Sequence, residues 1–325
     1  MMMFALAVVL SFGPAFFYAS IVYWLDRFEK EPLRLLVGAF LWGAVVATIG
    51  AIIATHVLQL GVELITGSAA LADLTGTTIF APLVEESLKG IAVLLIVLVF
   101  THEFDSVLDG IVYAAITALG FAATENVLYL YFQGYATDGL PGMIGLFILR
   151  VLFGGWGHAV YTAFIGIGLA VARLQQGWLI KLVAPIFGWS VAVFLHALHN
   201  SMATFLGEQM GLSGLLVTLL VDWTGWAVAL ALVIWAISRE RRWLRSYLAE
   251  EVQLGVISAE QYQAACSVRA RLGARMQGRA ARKFYVTCAE LAQKKHQLAT
   301  LGEEHGNSAR VATLRASLAR QAQLI

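Results

Sequence analysis

Charge is scarce in this chain: Asp, Glu, Lys and Arg make up only 13% of its 325 residues, against 59% hydrophobic ones, and the mean hydropathy is +0.76. That balance excludes a soluble enzyme of the cytosolic or periplasmic kind and places the chain among polytopic membrane proteins. Cysteine is nearly absent. Cys266 and Cys288 both lie beyond residue 239, lack metal-ligand spacing and are expected to be reduced thiols. No basic flank precedes the first apolar run, which begins Met-Met-Met-Phe; Arg27, Lys30 and Arg34 follow it instead. A cleaved signal peptide has the reverse order, so a retained helix is expected. No aromatic-basic pattern accompanies the basic residues, and nucleic acid is therefore not an expected partner.

What is present is a series of apolar stretches, each long enough for the ~20 helical residues that a bilayer requires. They fall near 3–25, 35–60, 77–100, 105–132, 142–173, 178–206 and 212–237. The expected fold is thus all-α, a polytopic helical bundle of about seven spans. Lys and Arg occupy alternate connections, at Arg27, Lys30 and Arg34, then Arg173 and Lys181, then Arg239, Arg241, Arg242 and Arg245, whereas the loops near 61–76, 133–141 and 207–211 have none. The positive-inside rule then puts the N-terminus outside and the C-terminus in the cytoplasm. Charge divides the chain as well: residues 1–238 carry 7 basic against 14 acidic residues, and residues 239–325 carry 15 against 7. We read 1–238 as a membrane domain and 239–325 as a basic, helical cytoplasmic tail that meets anionic lipid or a cytoplasmic partner. Ser258-x-x-Gln261 is a capping box that starts a helix there, and two or three amphipathic helices follow, broken near 302–307.

Three ionisable residues interrupt the third apolar stretch: Glu85, Glu86 and Lys89. A charge in hydrocarbon costs at least ~2.5 kcal/mol, so ionisable groups there mark a functional site by default. Helical spacing puts Lys89 within reach of either carboxylate, leaving one for chemistry. Counting along the other spans places Glu125, His158, His196 and Asn200 at similar depth in the outer half of the bilayer. His199 can join the face of His196 or point toward headgroups. Gly154, Gly155 and Gly157 before His158 either permit close helix packing or leave room for substrate or water. Arg150 and Asp222 read as charge partners, and Asp109 as structural. The bland alternative for all these groups is a polar contact that holds helices together.

Glu-Glu-x-x-Lys at 85–89, Phe-x-x-x-Glu at 121–125, an isolated His158 and His-x-x-x-Asn at 196–200 follow one another on successive helices. In this order, over residues 75–205, they resemble the PrsW family of intramembrane proteases, a branch of the superfamily of CAAX-prenyl endopeptidases and Abi proteins. The resemblance implies a bacterial cell-membrane endopeptidase that cuts a single-span protein near its extracytoplasmic boundary, as in site-1 cleavage of a membrane-bound anti-sigma factor. The CAAX branch has Glu-Glu-x-x-x-Arg and Phe-x-x-x-His, which this chain does not reproduce. Glu85 is the candidate base, His158 would position water, and Glu86 and Lys89 would orient the base. The resemblance implies that His196 and Asn200 donate to the oxyanion. Glu125 is a second carboxylate of the site or a partner for a histidine. No metal is expected, because His-Glu-x-x-His is missing; the alternative is zinc held by His158, His196 and Glu85 or Glu125. An ion-coupled transporter or a non-catalytic helix-binding scaffold are the readings from other classes.

Overall fold

The computed structural model describes all residues except 27–29, 268–269, 271–272, 274–277 and 304–305. Arg27 and part of the expected 302–307 break thus lie outside the described residues. Every element described is helical. In order they are α1 (Met2–Leu25), α2 (Leu33–Leu41), α3 (Thr48–Thr66), α4 (Ala69–Thr75), α5 (Ala81–Val99), α6 (Val107–Leu128), α7 (Ala136–Leu146), α8 (Gly157–Leu174), α9 (Trp178–Met210) and α10 (Leu212–Gln253). Three shorter elements follow: α11 (Ala259–Ala265), α12 (Arg279–Leu301) and α13 (Asn307–Ala322).

Five helical runs are long and apolar enough to cross a membrane: Met2–Leu25, Leu33–Thr66, Val107–Leu174, Trp178–Met210 and Leu212–Gln253. The sequence reading has about seven, and the difference has two sources. Helix α5 carries three ionisable residues and so does not count as an apolar run. The expected fourth and fifth spans both fall on Val107–Leu174, which is interrupted at Asp138–Gly139, where Gly139 has φ +64°, and again in the turn before α8. Large apolar side chains such as Phe16, Ile53, Val57, Phe187 and Phe194 remain exposed, forming a surface suited to lipid rather than water.

The chain divides into two compact units. The first comprises residues 1–25, 31–173 and 177–232. Its centre is α6, which is buried nearly from end to end because its residues are apolar or small on every side. Ser106 caps it in a box with Asp109, which gives Asp109 the structural role expected of it. Close packing rests on glycine. A methyl at Gly110 on α6 would lie 2.3 Å from the carbonyl oxygen of Gly166 on α8, and one at Gly166 would lie 2.0 Å from that of Gly110. Small residues let backbones approach in this way. Gly166→Ala should therefore force α6 and α8 apart and lower stability by about 1–3 kcal/mol. An unchanged thermal midpoint in detergent micelles would contradict this.

The second unit comprises residues 26–30, 174–176 and 233–325. The sequence boundary at 238/239 falls within α10, which runs unbroken to Gln253. Leu244, Leu248, Phe284, Cys288, Leu291 and Leu318 form its core. Ser258 and Gln261 make the capping box of α11, and Glu251 accepts hydrogen bonds from Lys295 and Arg315.

Candidate active site

Helix α5 follows a π-helical turn, Gly76–Phe80, and places Pro82 in its first turn, where a missing N–H is harmless. Its buried face carries Glu85, Glu86 and Lys89. Two further π-helical turns adjoin the polar groups: Tyr129–Tyr135 follows Glu125, and Phe147–Phe153 contains Arg150. Such turns recur at functional sites because they re-aim side chains out of the regular α period.

Lys89, fully buried, donates to Glu86 Oε1 at 2.6 Å and to His158 Nδ1 at 3.1 Å, and lies 3.9 Å from Glu85 Oε2. Spacing alone left either carboxylate open to it; the closer pair is with Glu86. Glu86 also accepts from Thr162 Oγ1 at 2.7 Å and from His196 Nδ1 at 3.0 Å. With that proton on Nδ1, His196 presents a lone pair on Nε2, 3.8 Å from Glu85 Oε2. Glu85 Oε2 is buried and has no hydrogen-bond partner. A second group forms around Glu125, whose Oε2 accepts from His158 Nε2 at 2.9 Å and from Arg150 Nη2 at 3.0 Å. Glu125 is thus a histidine's partner while also lining the central cavity. The third group is His199 Nδ1 against Asp222 Oδ2 at 2.7 Å, with Tyr161 OH donating to Asp222 Oδ1 at 3.2 Å.

All three groups open on one cavity of about 450 Å³, lined among others by Glu85, Glu125, His158, Tyr161, His196 and His199. Asn200 lines it as well, but its amide donates to the backbone oxygen of Thr77 at 2.9 Å, leaving one N–H for any other acceptor. Tyr161 and Thr162 were not among the sequence candidates. They stand three and four residues after His158, so the same helical face carries them. Arg150 and Asp222, read from the sequence as charge partners, instead pair with Glu125 and His199 respectively.

Among the described residues, Glu85, His158 and His196 offer ligand atoms that all lie within 4.8 Å of one another. Two imidazoles and a carboxylate suit catalytic zinc. The orphaned Glu85 oxygen and the free Nε2 of His196 fit a metal as they stand, and the Glu86–His196 hydrogen bond is the outer contact that ligating histidines usually have. His158 would have to exchange one of its present partners.

The sequence profile described as "PrsW family intramembrane metalloprotease" matches residues 31–243. The chain belongs to the PrsW family. The match extends well beyond the 75–205 segment that carries the motifs. The chain is 32% identical over 162 residues to Protease PrsW of Geobacillus kaustophilus, covering 50% of this chain and 64% of that protein. It is 30% identical over 196 residues to Protease PrsW of Bacillus subtilis, covering 58% of this chain and 82% of the relative. The protein of that name from Oceanobacillus iheyensis is 28% identical over 201 residues, 59% of this chain and 81% of the relative. No solved structure matches the chain. As a PrsW-family protein with helices of spanning length, the chain is an integral membrane protein.

Proposed function

We propose that the chain is a membrane endopeptidase in which Glu85 takes the proton from the water that attacks a peptide carbonyl. One observation carries the reading: Glu85 Oε2 is a buried carboxylate oxygen with no hydrogen-bond partner, on a residue that lines the cavity. Most buried polar atoms in proteins are paired, and among the described residues Glu85 supplies the one carboxylate oxygen that is not, which suits a place kept for water or substrate. Glu86 and Lys89 hold the face of α5, and through Thr162 and His196 they fix α8 and α9 around the base. His158 and His196 bracket the attacking water. The oxyanion has the second N–H of Asn200 as a donor.

A second reading is favoured by the proximity of the Glu85, His158 and His196 ligand atoms. Zinc held by these three side chains would supply Lewis-acid polarisation of the carbonyl and an acidified water. The deciding experiment is cleavage of a helix-anchored peptide in proteoliposomes, with and without a chelator. Activity that survives chelation but is lost in Glu85→Gln supports the direct base. Activity lost on chelation and restored by zinc supports the second reading, and no cleavage under either condition overturns both.

The proposed substrate is a single-span membrane protein cut near its extracytoplasmic boundary; a membrane-bound anti-sigma factor is the substrate type implied by the family resemblance. The proposed orientation, N-terminus outside and basic tail inside, is checked with thiol labelling. Cys266 and Cys288 are both buried, so their silence would report burial and not sidedness. Gly139 has a positive φ that a cysteine would strain. Thr137→Cys and Glu208→Cys, at exposed positions, are the better probes. Both should react with an impermeant reagent added outside intact cells, and protection of both would invert the topology.

A further inference from the structure

We infer that His199, oriented by Asp222, is the general acid that protonates the leaving amine; this rests on the proposed peptide hydrolysis at Glu85. Amide hydrolysis moves two protons, one off the attacking water and one onto the departing nitrogen, and the C–N bond does not break readily without the second. The other two imidazoles are committed. His158 accepts from Lys89 on Nδ1 and faces Glu125 with Nε2. His196 directs its Nδ1 proton to Glu86, leaving an acceptor toward Glu85. Neither has a proton to give into the cavity.

His199 differs in three respects. Its Nδ1 is fixed 2.7 Å from Asp222 Oδ2, which leaves Nε2 as the available edge of a ring that lines the cavity. Asp222 is buried, and among the described residues its carboxylate holds His199 Nδ1 and accepts from the Tyr161 hydroxyl, so the imidazole is oriented from its far side. The His199 side chain is also 26% exposed, against 3% for His196, so bulk water can restore its proton after each turnover. A carboxylate that holds the far nitrogen of an imidazole sets its tautomer and stabilises the imidazolium. Tyr161 ties this pair to the main centre: its hydroxyl holds Asp222 and its ring stacks on His196, with centroids 5.3 Å apart.

The proton balance closes. Glu85 removes a proton from water as the new C–O bond forms. The C–N bond then breaks with its electron pair on nitrogen, and nitrogen takes the proton from His199 Nε2. Glu85 releases its proton to solvent and His199 takes one back, so one water is consumed for one carboxyl and one amine formed.

The test uses the full chain in proteoliposomes with two probes: a single-span peptide that the wild type cleaves, and the same peptide with the scissile amide replaced by an ester. An alkoxide leaves with far less help than an amine anion. His199→Gln should lower amide cleavage about 100-fold or more, within the usual range for a lost general acid, and ester cleavage by less than about 5-fold. Asp222→Asn should shift the ester-to-amide ratio in the same direction. The ratio is independent of how much protein is folded, so a stability defect cannot imitate the result. An equal fall for both bonds, or no fall for the amide, overturns the inference while the protease reading stands. A wild type that cleaves neither bond overturns the protease reading and this inference with it.

Discussion

Glu85→Gln is expected to reduce cleavage by about three orders of magnitude or more, at the upper end of what removal of a general base costs. The substitution is isosteric and takes nothing from the packing, because Oε2 of Glu85 makes no hydrogen bond. Around the cavity Glu85, Glu86 and Glu125 face two cations, Lys89 and Arg150. Lys89 is closest to Glu86 and Arg150 pairs with Glu125, so Glu85 is the carboxylate with the most distant counter-ion, Lys89 at 3.9 Å. Removing its charge should leave the thermal midpoint unchanged or raise it slightly, since a buried charge with only a long ion pair is a cost and not a support. The expected signature is therefore an inactive protein at least as stable as the wild type. Near-normal activity would remove Glu85 from the mechanism, and inactivity with a large loss of stability would make it a structural residue.

Much of this site was legible because charge is conspicuous in an apolar helix. Glu85, Glu86 and Lys89 stand out from the composition of α5, and their helical spacing places them on one face. The same logic brought out Glu125, His158, His196, His199 and Asn200, all of which line the cavity. The particular side-chain pairings were not legible. Which carboxylate Lys89 prefers, that Asn200 gives one N–H to Thr77, and that Asp222 belongs to His199 depend on side-chain positions that no local period encodes. Tyr161 and Thr162 escaped because an aromatic or a threonine in a span passes for packing, although both share the face of His158. The number of spans was blurred by the same polar residues: hydropathy penalises α5 for its charges, and the interrupted run from Val107 to Leu174 joins what the sequence divides.

Lys89→Met should have the largest effect on stability. Methionine keeps most of the stem volume against the Phe121 ring, which lies 4.5 Å from the ammonium. The loss is therefore mainly that of the charge. Glu86 would remain fully buried with only Thr162 and His196 as donors, and His158 Nδ1 would lose its donor. Breaking one side of a buried pair typically costs about 3–5 kcal/mol, because the other charge is left uncompensated. The lysine's partners lie on α5 and α8, and Glu86 extends the network to α9, so the damage should spread beyond one helix. Thermal unfolding in detergent micelles should show a marked drop for Lys89→Met and a similar one for Glu86→Gln. The double variant should recover a large part of that loss without regaining activity, since it removes both charges but still lacks the groups that hold His158 and His196. A coupling of about 2 kcal/mol or more in that cycle is expected for residues in direct contact within one network. Strict additivity would mean that Lys89 and Glu86 stabilise the fold separately, and the ion pair would no longer be what holds α5, α8 and α9 around the base.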